Sequence, residues 1–269
     1  MVCGATMLTF GVKLKNNSIN NLNNKEVFFI LGSVRSGTTL LRDLLKLHPI
    51  LICPEETHMF RWGEPFHSTE YLHVNKVSET LILHRKMDGV DENDFNNILE
   101  NSRDRSDFMM NYMELFKNAQ NRVSRRCFDK TPQNVYGLPL IKAYFPESKI
   151  VHIVRNPLNV VASLKQGKVL SPQTITGAIN FWKESILIIN TLKPLFGDKL
   201  FEFKYEDLTN NPEEIMANML LFLDESPLDL SGKLDHVRPA LDSYKNILDN
   251  CEIDKVKSEL CDLMKIYGY

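Results

Sequence analysis

The chain has 269 residues, of which 43% are hydrophobic and 25% are charged, and this composition is that of an ordinary globular protein. Its 32 Lys and Arg residues against 34 Asp and Glu residues give a net charge of -2, which argues against a nucleic-acid partner because such binding needs a basic surface. The five cysteines form no C-x-x-C pair, so neither a zinc site nor a disulfide framework is indicated.

Residues 1–24 are predicted to be a flexible segment, because they include the Asn-rich stretch NNSINNLNN and precede the first apolar run. We recognise neither a signal peptide nor any stretch near the ~18 apolar residues that span a bilayer. These observations predict a cytoplasmic location and no membrane partner. Residues 25–269 are predicted to form one domain, since this length suits a single α/β unit with a buried sheet.

The first predicted strand is the apolar run Val27–Leu31, followed by a turn between Gly32 and Gly37 and by an amphipathic helix that begins at Thr38. The two glycines have the spacing of the P-loop motif G-x-x-x-x-G-K-[ST], whose backbone N–H groups bind phosphate. Thr38 stands where that motif has its lysine. The turn therefore suits a phosphate, but it suits ATP or GTP hydrolysis with magnesium poorly.

Polar side chains in this turn can add to the backbone donors. Ser36, Thr38 and Thr39 supply hydroxyl groups, and Arg35 supplies a fixed positive charge. The alternative is a glycine turn that merely lets a strand and a helix pack closely. The sequence Arg-Ser-Gly-Thr-Thr between a strand and a helix favours phosphate binding over that alternative.

The later elements alternate between helix and strand. Residues 74–120 are predicted to be a mostly helical insertion with breaks near Gly89 and Asn101. The remaining predicted elements are a strand over Lys149–Val154, helices over Leu158–Lys165 and Thr174–Leu192, a strand over Leu200–Tyr205, a helix over Asn211–Leu223, and C-terminal helices from about Leu241. This order predicts an α/β fold: a single P-loop-like domain with a central parallel sheet and helices on both faces.

Two segments together resemble a known family. FILGSVRSGTTLLRDLL is similar to the 5′-phosphosulfate loop of sulfotransferases that use 3′-phosphoadenosine 5′-phosphosulfate (PAPS). SKIVHIVRNPLNVVASLKQGK (148–168) resembles their 3′-phosphate motif, in which an arginine after a strand precedes a serine by 8 residues, here Arg155 and Ser163 (163 − 155). FKYEDLTNNPEE (203–214) resembles a third, weaker segment of the family.

The resemblance implies a PAPS-dependent enzyme that releases adenosine 3′,5′-bisphosphate and requires no metal. Arginine and serine suit the separate 3′-phosphate of PAPS, because arginine can grip a phosphate with two hydrogen bonds and serine can add another. The residues that the resemblance assigns to the nucleotide are Ser33, Arg35, Ser36, Gly37, Thr38, Thr39, Arg155, Ser163 and Tyr205. Tyr205 is equally compatible with a place in the core.

A base for the acceptor is implied by the segment LHPILICPEETHMF (47–60), which resembles the Gly-Glu-Glu-Thr stretch of tyrosylprotein sulfotransferases with Pro54 in place of the glycine. The corresponding catalytic base is Glu56. Glu55 is the first alternative for the base. A histidine is another, with His84 as a weak candidate. Both glutamates could instead be solvated loop charges.

The resemblance implies that two cations act on the phosphosulfate end of the donor. Arg35 would neutralise the 5′-phosphosulfate, and Lys130, in the family-like segment RRCFDKTPQN (125–134), would stabilise the leaving oxygen. An exposed loop lysine is the alternative for Lys130. Arg42 matches an arginine of the tyrosylprotein group, but a surface ion pair explains it equally well.

The acceptor is predicted from the stretch after Pro54. Glu55, His58, Phe60 and Trp62 are candidate contacts, and this mixture suits a cationic or amphipathic small molecule. We therefore expect a bacterial-type enzyme of secondary metabolism that sulfates a hydroxyl or an amine by in-line transfer, with a homodimer as the default assembly. The alternatives are a P-loop small-molecule or nucleoside kinase, a peptide or protein-tyrosine sulfotransferase, and a nucleotide-binding protein without activity.

Overall fold

The fold is built on five parallel strands, seen in a computed structural model that describes residues 27–122, 125–167, 174–235 and 237–269. The strands are β1 (Phe28–Gly32), β2 (Leu51–Ile52), β3 (Arg126–Lys130), β4 (Ile150–Val154) and β5 (Leu200–Lys204). They lie in the order β2-β3-β1-β4-β5, and each neighbouring pair is parallel. The segment predicted to be flexible, residues 1–24, lies outside the described residues.

Helices connect the strands in the described part of the chain. They are α1 (Thr38–Leu45), α2 (Thr69–Val77), α3 (Glu79–Asp88), α4 (Glu92–Asn101), α5 (Arg105–Ala119), α6 (Leu138–Tyr144), α7 (Pro157–Gln166), α8 (Ile175–Leu192), α9 (Tyr205–Asn210), α10 (Pro212–Phe222) and α11 (Asn250–Tyr267). A 3₁₀-helix over Pro132–Gly137 follows β3 directly. The helices α2 to α5 form the predicted helical insertion, which lies between β2 and β3.

Alternate residues of β1 pack on opposite faces of the sheet. Phe29 and Leu31 belong to a core shared with α5 and α6, whereas Phe28 and Ile30 belong to a core shared with α1 and α10. All five residues of β1 are buried, as a central parallel strand covered on both faces requires. The predicted parallel sheet with helices on both faces is confirmed.

The strand register brings the candidate residues to one edge of the sheet. Ile30 is in register with Lys130, and Gly32 is in register with Ile153. The carboxyl ends of β1, β3 and β4 therefore lie side by side. In sheets of this kind the crevice outside the carboxyl ends, where the strand order reverses, is the usual place for a ligand.

Several features differ from the sequence-based expectation. The two-residue strand β2 carries no periodic signal and was not predicted, and β3 was not among the strands predicted from the hydrophobic pattern. Tyr205, expected at the end of a strand, is the first residue of α9 instead. Among the helices of the described residues, none is both long and apolar enough to cross a membrane.

Candidate active site

The turn after β1 has a backbone that only particular residues tolerate. Gly37 precedes α1 with a φ of 92°, in the left-handed region. A Cβ atom on Gly37 would lie 2.2 Å from the ring of Tyr205, and one on Gly32 would lie 2.7 Å from the carbonyl oxygen of Ile153. The glycines therefore allow the turn to pack directly against β4 and α9.

The hydroxyl groups predicted for this turn lie in different environments. The Oγ of Ser36 is buried and has no hydrogen-bond partner among the described residues. The Oγ of Ser33 donates a hydrogen bond to the carbonyl of Phe181 at 3.3 Å, so this side chain ties the turn to α8. Thr38 is buried at the start of α1, whereas Thr39 is exposed.

The second predicted motif meets the first one directly. Arg35 Nε donates to Ser163 Oγ at 2.9 Å, and Arg155 Nη1 donates to the carbonyl of Arg35 at 3.0 Å. The guanidinium of Arg155 lies 4.4 Å from the ring centroid of Tyr205, a cation–π contact. The Nε of Arg155 is buried without a hydrogen-bond partner in the described part of the chain. Residues 128 positions apart are thus in contact.

One cavity of about 680 Å³ joins the two motifs to a carboxylate. Its lining includes Arg35, Thr38, Thr39, Arg155 and Ser163, together with Glu56. Gln166 and Gly167, at the end of α7, also line it and were not predicted. Residues of both predicted nucleotide motifs and the predicted base therefore face the same space.

Glu56 and Lys130 form an ion pair at this cavity. Lys130 Nζ lies 2.5 Å from Glu56 Oε1, and the Lys130 side chain is only 3% exposed against 28% for Glu56. The burial of Lys130 rules out the alternative of an exposed loop lysine. The second carboxylate oxygen of Glu56 lies 3.5 Å from His58 Nε2. A partly exposed carboxylate is thus held between a buried cation and an imidazole.

The two histidines near Glu56 have different surroundings. His58 is buried, and burial, followed by the charges of Arg61, His84 and Lys130, lowers its pKa to about 3. Its ring is therefore uncharged at neutral pH. His84 lies on α3, stacks on the His58 ring at 6.2 Å between centroids, and has its Nδ1 2.9 Å from the backbone carbonyl of Glu56.

The structure separates the two adjacent glutamates. Arg42 Nη1 donates to Glu55 Oε2 at 2.9 Å, and the backbone N–H of Glu55 donates to Asp88 Oδ1 at 2.9 Å. Glu55 lines a different cavity of about 280 Å³. Arg42 also pairs with Asp43 at 3.0 Å, so its observed partners are two carboxylates.

The remaining candidate acceptor residues are also divided. Phe60 is fully buried and makes edge-to-face contacts with Phe29 and Phe145, at 6.1 and 6.0 Å between ring centroids, so it belongs to the core. Trp62 is half-buried and lies 5.9 Å from the His58 ring. Of these aromatic residues, Trp62 contacts the histidine that lies beside Glu56, and Phe60 packs in the core.

A buried polar group beside Lys130 was missed by sequence reasoning. Asp129 is fully buried and accepts hydrogen bonds from the side chains of Thr57, Thr131 and Asn134. Burial raises the pKa of Asp129 to about 6, although these hydrogen bonds oppose the rise. The one signal in the sequence was an acidic residue inside a strand, directly after Phe128.

No group of three or more His, Cys, Asp or Glu side chains that could hold a metal ion occurs within the described ranges. The four cysteines in those ranges, Cys53, Cys127, Cys251 and Cys261, are free thiols.

Comparison with known proteins finds the same family that the sequence motifs resemble. A family model described as "Sulfotransferase family" matches residues 28–229. Protein-tyrosine sulfotransferase A of Caenorhabditis elegans is 29% identical over 220 residues, which are 77% of this chain and 52% of that protein. The matched part of the chain spans between 26% and 66% of the length of the curated relatives, and 52% of this one.

Solved structures also resemble this chain. The sulfotransferase domain of the Synechococcus PCC 7002 olefin synthase has a TM-score of 0.61 at 23% identity, with 93% of this chain and 97% of that domain covered. A mouse sulfotransferase complexed with PAP has a TM-score of 0.50 at 14% identity, with 87% of this chain and 84% of that chain covered. At these identities the likeness shows a shared fold.

Proposed function

The chain belongs to the sulfotransferase family, and from this premise we propose that it transfers the sulfuryl group of PAPS to a hydroxyl or an amine of a small-molecule acceptor. The observation that carries the proposal is the shared cavity of about 680 Å³, where the two anion-binding turns meet Glu56. A donor with phosphates at two positions needs two such turns, and an acceptor that must lose a proton needs a base beside them.

The residues present fit this donor. Ser36 Oγ and Arg155 Nε are buried polar atoms without hydrogen-bond partners among the described residues, and both belong to the predicted nucleotide motifs. Arg155 and Ser163 would hold the 3′-phosphate, while Ser36, Thr38 and the N–H groups at the start of α1 would hold the 5′ end.

Each reacting group has a residue suited to it. PAPS supplies an activated sulfuryl group when it is bound. Glu56 would take the proton from the acceptor, because its carboxylate is the one that faces the cavity. Lys130 and Arg35 would stabilise the negative charge that develops on the leaving phosphate. The Glu56–Lys130 pair holds the carboxylate in place before the acceptor arrives.

The experiment that tests the proposal is transfer of labelled sulfate from PAPS to a panel of phenols, alcohols, amines and guanidinium compounds. Glu56→Gln should reduce turnover roughly a hundredfold or more, the range of a lost general base, while adenosine 3′,5′-bisphosphate still binds. The same substitution at Glu55 tells the two glutamates apart. If only Glu55→Gln lowered turnover, Glu55 would be the base instead of Glu56.

A second candidate is transfer to tyrosine in a peptide or protein. It is favoured by the similarity to a protein-tyrosine sulfotransferase over 77% of the chain. Tyrosine-containing peptides therefore belong in the acceptor panel. Sulfation of these peptides without sulfation of any small molecule would replace the small-molecule proposal.

A further inference from the structure

The carboxylate of Asp129 lies at the centre of a buried hydrogen-bond network next to the proposed catalytic pair. It is fully buried at the end of β3. Its Oδ2 accepts from Thr57 Oγ1 at 2.6 Å and from Thr131 Oγ1 at 3.2 Å, and its Oδ1 accepts from Asn134 Nδ2 at 2.9 Å. Thr57 directly follows Glu56, and Thr131 directly follows Lys130.

Further hydrogen bonds join the two chain segments that carry this pair. The backbone N–H of Thr57 donates to Thr131 Oγ1 at 3.0 Å, and that of Phe60 donates to Asn134 Oδ1 at 3.1 Å. A Cβ on Gly137 would lie 1.7 Å from the carbonyl oxygen of Phe60, so the loop after β2 lies directly on the 3₁₀-helix after β3. Side-chain hydrogen bonds hold these segments where no strand pairing does.

Asp129 makes this network with no cation bound to it. Among the described residues, no Lys or Arg forms an ion pair with its carboxylate. Burying a carboxylate without a cation costs folding free energy, and the raised pKa of Asp129 expresses that cost. Stability alone would favour a neutral side chain here. A carboxylate differs from any neutral side chain because it accepts at both oxygens and donates nothing.

We propose that Asp129 is a positioning residue: through Thr57 and Thr131 it fixes the backbone on which Glu56 and Lys130 stand, and so sets the place of the base and its cation at the cavity. The proposal rests on the function proposed above. It explains why three donors converge on one acidic side chain beside the ion pair rather than on the pair itself. Catalytic groups need such support, since small displacements of a reacting group reduce turnover strongly.

The mildest test removes one hydrogen bond of the network at Thr57. Thr57→Val keeps the shape of the side chain but cannot donate to Asp129, whereas Thr57→Ser keeps the hydroxyl. We expect kcat to fall between tenfold and a hundredfold in Thr57→Val, with the Kd of adenosine 3′,5′-bisphosphate within twofold of the wild type, and to recover in Thr57→Ser. A merely structural role would change stability without this separation of kcat from binding.

Ser148→Ala is the matched control, because the Ser148 hydroxyl is also buried and donates to the carbonyl of Val27 at 2.6 Å, at the opposite edge of the sheet. It should lower the melting temperature and leave kcat within twofold. Asp129→Ala extends the test: it removes the acceptor of all three hydrogen bonds, so in the folded variant kcat should fall at least as far as in Thr57→Val.

The outcomes separate this proposal from the one on which it rests. A wild-type chain that transfers no sulfate to any acceptor overturns the proposed function, and the role of Asp129 with it. An active wild type together with a folded Thr57→Val variant that keeps its kcat overturns the role of Asp129 alone. If kcat falls in Thr57→Val and does not recover in Thr57→Ser, the role of Asp129 is also overturned.

Discussion

Neighbouring residues of this chain have different roles because their partners come from different elements. Glu55 and Glu56 are adjacent, yet Glu55 binds Arg42 of α1 and Glu56 binds Lys130 of β3. Their side chains line separate cavities. The identity of a residue therefore indicates that it can act as a base, and its tertiary partner decides which of the two carboxylates faces the larger cavity.

His58 should make stability depend on pH. In the unfolded chain it has the ordinary pKa of 6.5 and takes up a proton below that pH, while the folded protein keeps it neutral down to about 3. Protons therefore favour the unfolded state in this window. Relative to His58→Gln, we expect the wild-type free energy of unfolding to fall as pH drops below 6.5, by up to about 1.4 kcal/mol per pH unit.

Urea unfolding at pH 7.5, 6.0 and 5.0 measures this difference. The pKa of Asp129 is raised from 3.8 to about 6. Between these pH values its titration makes the free energy of unfolding rise as the pH falls, which is opposite to the effect of His58. Because both proteins retain Asp129, its contribution cancels in the difference. The exposed His73→Gln variant controls for the loss of a histidine. If His58→Gln and His73→Gln changed the pH dependence of the free energy of unfolding equally, the assignment to His58 would be wrong.

At the scale of elements, local patterns predicted what local interactions determine. The apolar run before Gly32, the helix at Thr38 and the strand before Arg155 are continuous in sequence, and all three were predicted correctly. The two-residue strand β2 was not, since its conformation comes from pairing with β3 rather than from its own residues. The Asp129 network escaped prediction for a related reason, because Thr57 lies 72 positions away.

The strand–turn–helix unit makes a prediction at Gly37. Alanine there would adopt a φ of 92° and place its Cβ 2.2 Å from the Tyr205 ring. We expect Gly37→Ala to lower the free energy of unfolding by about 1–3 kcal/mol and to weaken binding of adenosine 3′,5′-bisphosphate, because the turn must move away from α9. Urea unfolding and calorimetric titration measure the two effects.

Gly63 offers a matched control for that substitution. A Cβ at Gly63 meets no atom within 4 Å, so Gly63→Ala should change stability by no more than about 0.5 kcal/mol and leave nucleotide binding unchanged. If Gly37→Ala behaved like Gly63→Ala, the close packing of the turn on Tyr205 would not matter for binding.

At the scale of the whole molecule, the candidate nucleotide site joins parts of the chain that are far apart in sequence. Arg35 follows β1, Arg155 follows β4 and Tyr205 begins α9 after β5, and contacts of 2.9 to 4.4 Å connect them with Ser163. A ligand that binds all three turns would stabilise the folded state, since the unfolded chain cannot present them together.

Ligand-dependent melting tests this coupling and the identity of the nucleotide together. Adenosine 3′,5′-bisphosphate at 100 times its Kd should add about 2.7 kcal/mol of stability and raise the melting temperature by roughly 5–10 °C. Adenosine 5′-monophosphate should give a smaller shift at equal concentration, because it lacks the 3′-phosphate that Arg155 and Ser163 would bind. In Arg155→Gln the difference between these two nucleotides should disappear. A clear rise in melting temperature with ATP and magnesium, but none with adenosine 3′,5′-bisphosphate, would contradict the proposal that PAPS is the donor. It would favour a kinase, because the P-loop would then bind a triphosphate without its lysine.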